Sequence, residues 1–338
     1  MRIDQPRLQY EPYKQLEPSD EYLRWAEEVV KNTPHTEVPV LYLRDMYDPF
    51  DPRFATPDRS PRNETDLHFG IRWYETNPQR EAAPGHTPET VVFYAPHSDD
   101  AEIAAGVSLT HQIQQGDHVS ALHFTMGNAG RTRRGFTQDN MGTVRMAEAI
   151  AAGQFLGSQR VGIMMMPDGR MGLPEWFNNQ HSAQMRMLGI ALMRQLNPHI
   201  LYSPHPDMRV DKHPDHVAVA ALAAWGHGWG TENDFYAKTF AGKANQIREW
   251  RRYAIWTGES TLPVNTHFRY EPEGPYARHK HAAVSMFQSQ GGTIYADAAL
   301  ALDRYYGGMI GVGDDDGTAR EKFDVVRSTT VVTPQWRD

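Results

Sequence analysis

The 338-residue chain is 40 % hydrophobic and 22 % charged, an ordinary globular composition with room for one large domain plus additions, or for two domains. Its 34 Lys and Arg against 42 Asp and Glu leave a formal charge of −8, which argues against nucleic acid or an anionic membrane as partner, and no apolar run reaches the roughly 18 residues of a membrane helix. The absence of cysteine excludes disulfides and thiolate metal sites, so any zinc must use His and carboxylate; with no apolar signal segment at the N-terminus, the composition fits a cytoplasmic protein.

Residues 1–88 are polar and rich in Pro, Asp and Arg, and are expected to form an extension packed on the core or shielding a site entrance. Within it, residues 21–32 (EYLRWAEEVVKN) have the spacing of an amphipathic helix capped by Ser19 or Asp20, whereas the proline-rich stretch 48–63 does not suit regular structure. Trp25, Trp73 and Tyr74 read as packing anchors. Residues 91–95 (VVFYA) are an uninterrupted apolar run, suited to a strand buried on both faces; Pro96 ends it, and a helix follows that stops at Gly116. Next come a strand over 118–126, a helix over 143–156, a strand over 160–166, a helix over 180–196, a strand over 198–203 and a helix over 214–224. This alternation predicts an α/β fold, a three-layer Rossmann-like sandwich with a mostly parallel sheet and right-handed crossovers, over residues 89–300. Beyond Trp229 the pattern loosens: short strands are expected at 235–236 and 253–257 and helices at 276–290 and 297–306. Residues 301–338 are expected to complete the domain with helix and a last strand in FDVVRSTTVV. The glycines of 307–313 (GGMIGVG) lack the G-x-G-x-x-G spacing of a nucleotide loop.

Chemistry gathers at two strand ends. After residue 95 come His97, Asp99 and Asp100, on the turn from strand to helix where open α/β sheets bind ligands. His97 and Asp100 on so tight a turn can point at one metal ion, leaving Asp99 as a base beside it; the alternative is that Asp99 or Asp100 merely caps the helix. The second cluster is His205, Asp207, His213, Asp215 and His216, also following a strand. Strand ends of a parallel sheet share one edge, so the clusters can meet, and together their four His and four Asp are hard to explain as caps.

The ordered set APHSDDAE, TMGNAG, Arg145-x-x-Glu148, PDG, HPDH and Lys280 with Ser289-Gln290, covering about residues 90–292, resembles the PIG-L/LmbE family of zinc-dependent N-deacetylases. The resemblance implies a Zn2+ site (or another divalent metal) of His97, Asp100 and His216. It also implies Asp99 as general base, His213 as the group that steadies the oxyanion or protonates the leaving amine, and Asp215 as the carboxylate orienting a ligand histidine. A small N-acylated amino sugar or sugar-bearing metabolite is the implied substrate, with a water activated by the ion as nucleophile. An amidase acting on a non-sugar acyl amine, a phosphoester hydrolase, and a metal-stabilised binding protein are the alternatives. Three departures stand out: Ser98 replaces a usual Pro, expected to alter only turn stiffness, Asn128 a frequent Glu and Phe287 a frequent His. Arg131, with Arg133 and Arg134, is expected to grip an anionic group of the substrate or to lie in solvent; Arg145 either supports the site or makes a surface pair with Glu148. Asp168 contacts substrate hydroxyls or serves as an Asp-Gly turn, and His205, with Asp207, lines the pocket, binds a second ion or steadies its loop. Met164, Met165 and Met166 read as core filler, and His279 and His281 as facing different ways.

Overall fold

The structure, a computed structural model, describes residues 18–42, 67–129, 136–166, 168, 169, 171, 181–230, 247–256, 262–310 and 318–327. Its elements run α1 (Asp20–Asn32), β1 (His35–Tyr42), β2 (Leu67–Glu75), β3 (Thr90–Ala95), α2 (Asp100–Gln115), β4 (His118–Thr125), α3 (Gln138–Leu156), β5 (Arg160–Met166), α4 (His181–Leu196), β6 (Ile200–Pro204), α5 (Pro214–Gly230), β7 (Glu249–Tyr253), β8 (Thr266–Tyr270), α6 (Pro275–Ser285), a 3-10 turn (Gln288–Gln290), α7 (Thr293–Ile310) and β9 (Ala319–Arg327). The expected stretches 48–63 and 235–236, and the end of the last strand beyond 327, lie outside the described residues.

One nine-stranded sheet has the order β1-β2-β5-β4-β3-β6-β7-β9-β8. Its centre, β5-β4-β3-β6-β7, is parallel, and antiparallel pairs close both margins. The chain winds outward from β3 in both directions, so the strand order reverses between β3 and β6. A crevice opens at such a switch point, beyond the carboxyl ends of the strands.

The central strands are buried on both faces, as their unbroken apolar runs require. Val92, Tyr94, Leu122, Phe124 and Leu201 pack with Leu188, Leu192, Val219 and Leu222 of α4 and α5. The alternate positions Val91, Phe93, Val119, Ala121 and Tyr202 pack against Ala101, Ala105, Leu109 and Ile113 of α2. Gly116, with φ 90°, ends α2 in the left-handed region expected of a helix stop.

The extension is more regular than its composition suggests. Ser19 Oγ accepts the Tyr22 N–H at 3.1 Å and starts α1, whose Tyr22, Trp25 and Val29 pack on α3. β1 and β2 form an antiparallel pair, and β2 joins the sheet through β5. Trp73 and Tyr74 are buried there. A strand was not expected here because the short apolar stretches alternate with charge, as on an edge with one wet face.

Four other expectations change. The strand expected at 253–257 is β7, ending at Tyr253, because Glu249, Arg251 and Arg252 are tolerated on a half-covered margin beside β9. The helix expected at 276–290 stops at Ser285 and resumes as a 3-10 turn, and α7 begins at Thr293, four residues before the expected start. Met164 and Met166 are core residues, but Met165 is 42 % exposed with φ 56°, at a bulge that shifts the β4–β5 register.

α2 carries a break at Ala105 (φ −144°). The freed N–H groups of Val107 and Ser108 donate to the two carboxylate oxygens of Glu321 on β9, at 2.7 and 2.8 Å. Lys280, fully buried, pairs with Glu321 and Asp303 at 3.0 and 2.6 Å. The C-terminal part thus satisfies a helix that supplies the site's first turn. His279 stacks on Phe155 while His281 meets Asp297, on different faces as their spacing implies.

Candidate metal centre and active-site cleft

The turn after β3 is tied by its own side chains. The His97 N–H donates to Asp100 Oδ2 at 2.8 Å. Asp99 occupies the N-cap position of α2, yet its side chain makes no capping hydrogen bond. Its two oxygens go elsewhere: Oδ1 accepts from Arg145 Nη2 at 2.8 Å and Oδ2 from the Tyr295 hydroxyl at 2.6 Å. The simple capping reading of Asp99 therefore does not hold.

The second cluster arrives at the same crevice from β6 and α5. His97 Nδ1 and His216 Nε2 lie 3.3 Å apart, His97 Nδ1 and Asp100 Oδ2 3.4 Å, and His216 Nε2 and Asp100 Oδ2 3.6 Å. Bonds of roughly 2.0–2.2 Å at tetrahedral angles separate neighbouring ligand atoms by about 3.3–3.6 Å, so this triangle matches one face of a tetrahedral site. Two imidazoles and one carboxylate also suit Zn2+ chemically.

The outer nitrogens are held as metal ligands generally are, by carboxylates. His216 Nδ1 meets Asp211 Oδ2 at 2.7 Å. His97 Nε2 faces Asp215 Oδ2 at 3.3 Å and Asp168 Oδ1 at 3.4 Å. Nitrogen and oxygen atoms of His97, His213 and His216, and of His97, Asp168 and Asp215, also gather within 4.8 Å. The second grouping is the poorer ligand set: Asp215 already accepts the N–H groups of Gly169 and Met171 at 2.7 and 2.9 Å, and Asp168 that of Ala129 at 2.5 Å. His213 Nδ1 accepts the Asp215 N–H at 3.2 Å.

The electrostatics call for positive charge at this point. Burial opposes protonation of His97, but hydrogen bonds to Asp100 and Asp215 and the charges of Asp100 and Asp168 push its pKa up to about 10. Burial likewise opposes ionisation of Asp100, yet His216 and His97 hold its carboxyl well below the usual range. Burial and the neighbouring imidazoles of His97 and His216 push His213 below its ordinary value.

Beside the triangle opens a cavity of about 610 Å3, lined among others by His97, Asp99, Asp168, His213, Trp256 and Tyr295, with Arg209 and Lys212 also on its wall. Arg145 is buried rather than paired at the surface: its Nε donates to Ser98 Oγ at 2.8 Å and its Nη1 to the Gly127 carbonyl at 3.3 Å. Ser98 thus does more than loosen a turn. Gly127 (φ 67°) lies so close that a Cβ there would meet the Arg145 guanidinium at 2.7 Å. Glu148 faces away from the cavity, accepting from Tyr22, the Ser289 N–H and Ser289 Oγ at 2.7, 2.7 and 2.6 Å. Phe287, in the place of a frequent His, is core.

The remaining predicted contacts divide. Asp168 borders the cavity, with its oxygens spent on Ala129, Thr125 and His97. Of the roles expected for His205, the placement fits loop steadying rather than lining the pocket: it is buried against β9, with Nε2 on Asp324 at 3.1 Å and Nδ1 accepting the Asp207 N–H at 3.1 Å, and the cavity wall does not include it. Arg131, Arg133 and Arg134 lie outside the described residues. Sequence reasoning missed Asp211, Trp256 and Tyr295. Asp211 stands five residues before His216, a spacing that offered a signal; the other two had none.

Several solved structures share this fold. A conserved protein from Thermus thermophilus is similar at 24 % identity, over 74 % of this chain and 99 % of its own, with a TM-score of 0.52. The N,N'-diacetylchitobiose deacetylase of Pyrococcus horikoshii is similar at 19 % identity, over 72 % of this chain and 87 % of its own, with a TM-score of 0.56. GalB of Pseudomonas putida, a 4-carboxy-2-hydroxymuconate hydratase, reaches the same TM-score of 0.56 at 15 % identity, over 72 % and 98 % of the two chains. These likenesses establish a shared fold. No curated protein matches the chain significantly. Residues 92–225, which include both the H-x-D-D turn and the HPDH helix start, match the PIG-L family profile, described as GlcNAc-PI de-N-acetylase. The middle of the chain is therefore similar to the PIG-L family over residues 92–225, and strands of the same sheet lie on both sides of that match.

Proposed function

We propose that the chain is a zinc-dependent N-deacetylase that removes the acetyl group from an amino sugar or sugar-bearing metabolite. The observation that carries this reading is the triangle of His97, Asp100 and His216, set beside an uncommitted cavity within the PIG-L match. A divalent cation held there supplies Lewis acidity toward water and the amide carbonyl.

The protein's own groups supply the rest. Asp99, adjacent to the triangle, takes the proton of the attacking water. Its carboxylate is kept in place by Arg145 and Tyr295. His213 lies 4.7 Å, ring to ring, from His97. Because its Nδ1 accepts the Asp215 N–H, its neutral form carries the proton on Nε2, which donates to the carbonyl oxygen as charge develops there. Full proton transfer from His213 to the leaving amine requires the imidazolium, whose Nδ1–H would break that bond. The local geometry accordingly favours oxyanion stabilisation by His213, and the proton that Asp99 takes from water passes from Asp99 to the leaving amine as the C–N bond breaks.

The substrate is a small molecule, as the cavity volume allows. Among the described residues no helix is long and apolar enough to cross a membrane. The test is acetate release by the metal-loaded protein from a panel of N-acetyl sugars and acyclic N-acetyl amines, with Asp99→Ala alongside. Stoichiometric acetate and amine, abolished in Asp99→Ala, is the expected result. Release that survives Asp99→Ala, or none from any substrate, would reject the reading. Because this fold also occurs in a hydratase, hydration of an unsaturated acid belongs in the same panel as the competing outcome.

A further inference from the structure

We infer that Tyr295 is a positioning residue for the base Asp99, an inference that rests on the deacetylase reading above. The torsion that orients an aspartate carboxylate is broad and two-fold, so packing at the Cβ does not set the plane of the oxygens. Partners must do it. Arg145 holds Oδ1 at 2.8 Å, and one such contact leaves the group free to pivot about that oxygen. Tyr295 holds Oδ2 at 2.6 Å and removes the pivot.

Tyr295 is well placed for this and is not supplied by residues 92–225. It sits in the first turn of α7, just after Gly291-Gly292, with its side chain at the cavity wall. Its ring lies 5.2 Å from that of Trp256, itself held at φ 51°, and both pack on the apolar cluster of Ile103, Val284, Ala296 and Ala299. Backbone in that region is costly for a tryptophan and is kept only where surrounding contacts enforce it. The ring is thus clamped by apolar contacts while the hydroxyl alone reaches Asp99. Tyr295→Phe deletes the reach and spares the clamp.

The experiment uses the zinc-loaded full-length protein labelled with 13C at tyrosine Cζ. Tyr295→Phe identifies the Tyr295 resonance by its loss, and Asp99→Asn is then expected to move it, a readout that needs no turnover. In parallel, kcat and KM for N-acetyl-substrate hydrolysis are measured separately. Misplacing a reacting group by about 1 Å costs on the order of 100-fold, so Tyr295→Phe should lower kcat by about 10- to 100-fold. KM should stay within about two-fold, with zinc content and melting temperature unchanged, since the substrate wall and metal ligands are intact. Tyr295→Ala should lower kcat and also raise KM. An unmoved resonance in Asp99→Asn, or full kcat in Tyr295→Phe, overturns the inference. A wild type that shows the coupling but hydrolyses no N-acyl substrate sinks the deacetylase reading instead, and with it any catalytic purpose for the contact.

Discussion

His97 Nδ1 and His216 Nε2 approach to 3.3 Å although 119 positions separate them in the chain. His97 follows the carboxyl end of β3 and His216 lies in the first turn of α5, the helix after β6, on either side of the switch point, and Asp100 closes the triangle with them. His97→Ala and His216→Ala proteins are each expected to retain less than about a tenth of an equivalent of zinc after dialysis, against one for wild type, as coordination by three protein ligands implies. Elemental analysis decides this. Stoichiometric zinc in either variant would place the ion elsewhere.

Asp211 is the partner of His216, at 2.7 Å from Nδ1, and also accepts the His213 N–H at 3.0 Å. Carboxylates in this position fix ring orientation and raise ligand basicity, and removing them costs about 10- to 100-fold in metal affinity. Asp211→Ala should show that loss in competition with a chelator while still folding. An affinity equal to wild type would reduce Asp211 to a loop contact.

His213 offers an N–H toward the cavity without belonging to the proposed ligand triangle. His213→Ala is expected to keep one equivalent of zinc and lose about 100- to 1000-fold in kcat, the scale of a missing oxyanion donor. Loss of zinc with activity would instead make it a ligand, in line with its closeness to His97 and His216.

Glu148 gives a stability test away from the metal. Its burial, opposed by hydrogen bonds from Ser289 and Tyr22, raises its pKa from 4.5 to about 7. A group that binds its proton more tightly when folded stabilises the fold most when protonated, so this contribution is complete below pH 4.5 and is lost as pH rises to about 7. On the scale of about 1.4 kcal/mol per unit, the loss approaches about 3 kcal/mol. Glu148→Gln can keep the two bonds that Tyr22 and the Ser289 N–H donate to Oε1 and reverse the third by donating from Nε2 to Ser289 Oγ, but it cannot ionise. Its unfolding free energy should gain on wild type between pH 4.5 and 7 and hold a constant lead above that; a pH-independent difference would show that Glu148 does not titrate in that window.

Much of the fold was legible because its signals are local. Residues 91–95 announce a strand buried on both faces by composition alone, Pro96 and Gly116 mark ends through their backbones, and the repeated alternation with helices implies a parallel sheet. The β1–β2 pair was not legible, because an edge hairpin alternates polar with apolar and identifies itself only by pairing with β5. The first turn of α7 escaped for a related reason: its residues are ordinary until the cavity wall gives them a role.

The sequence by itself determined that imidazoles and carboxylates would crowd two strand ends, since residue identity and turn position are local properties. Only the tertiary structure decided which atoms face one another. Asp99 finds its two partners 46 and 196 positions away, His205 turns to β9 rather than to the cavity, and His216 leans on Asp211. Hydrogen-bond partnership depends on side-chain direction and on how much water is excluded, and neither is written in the spacing of residues along a chain.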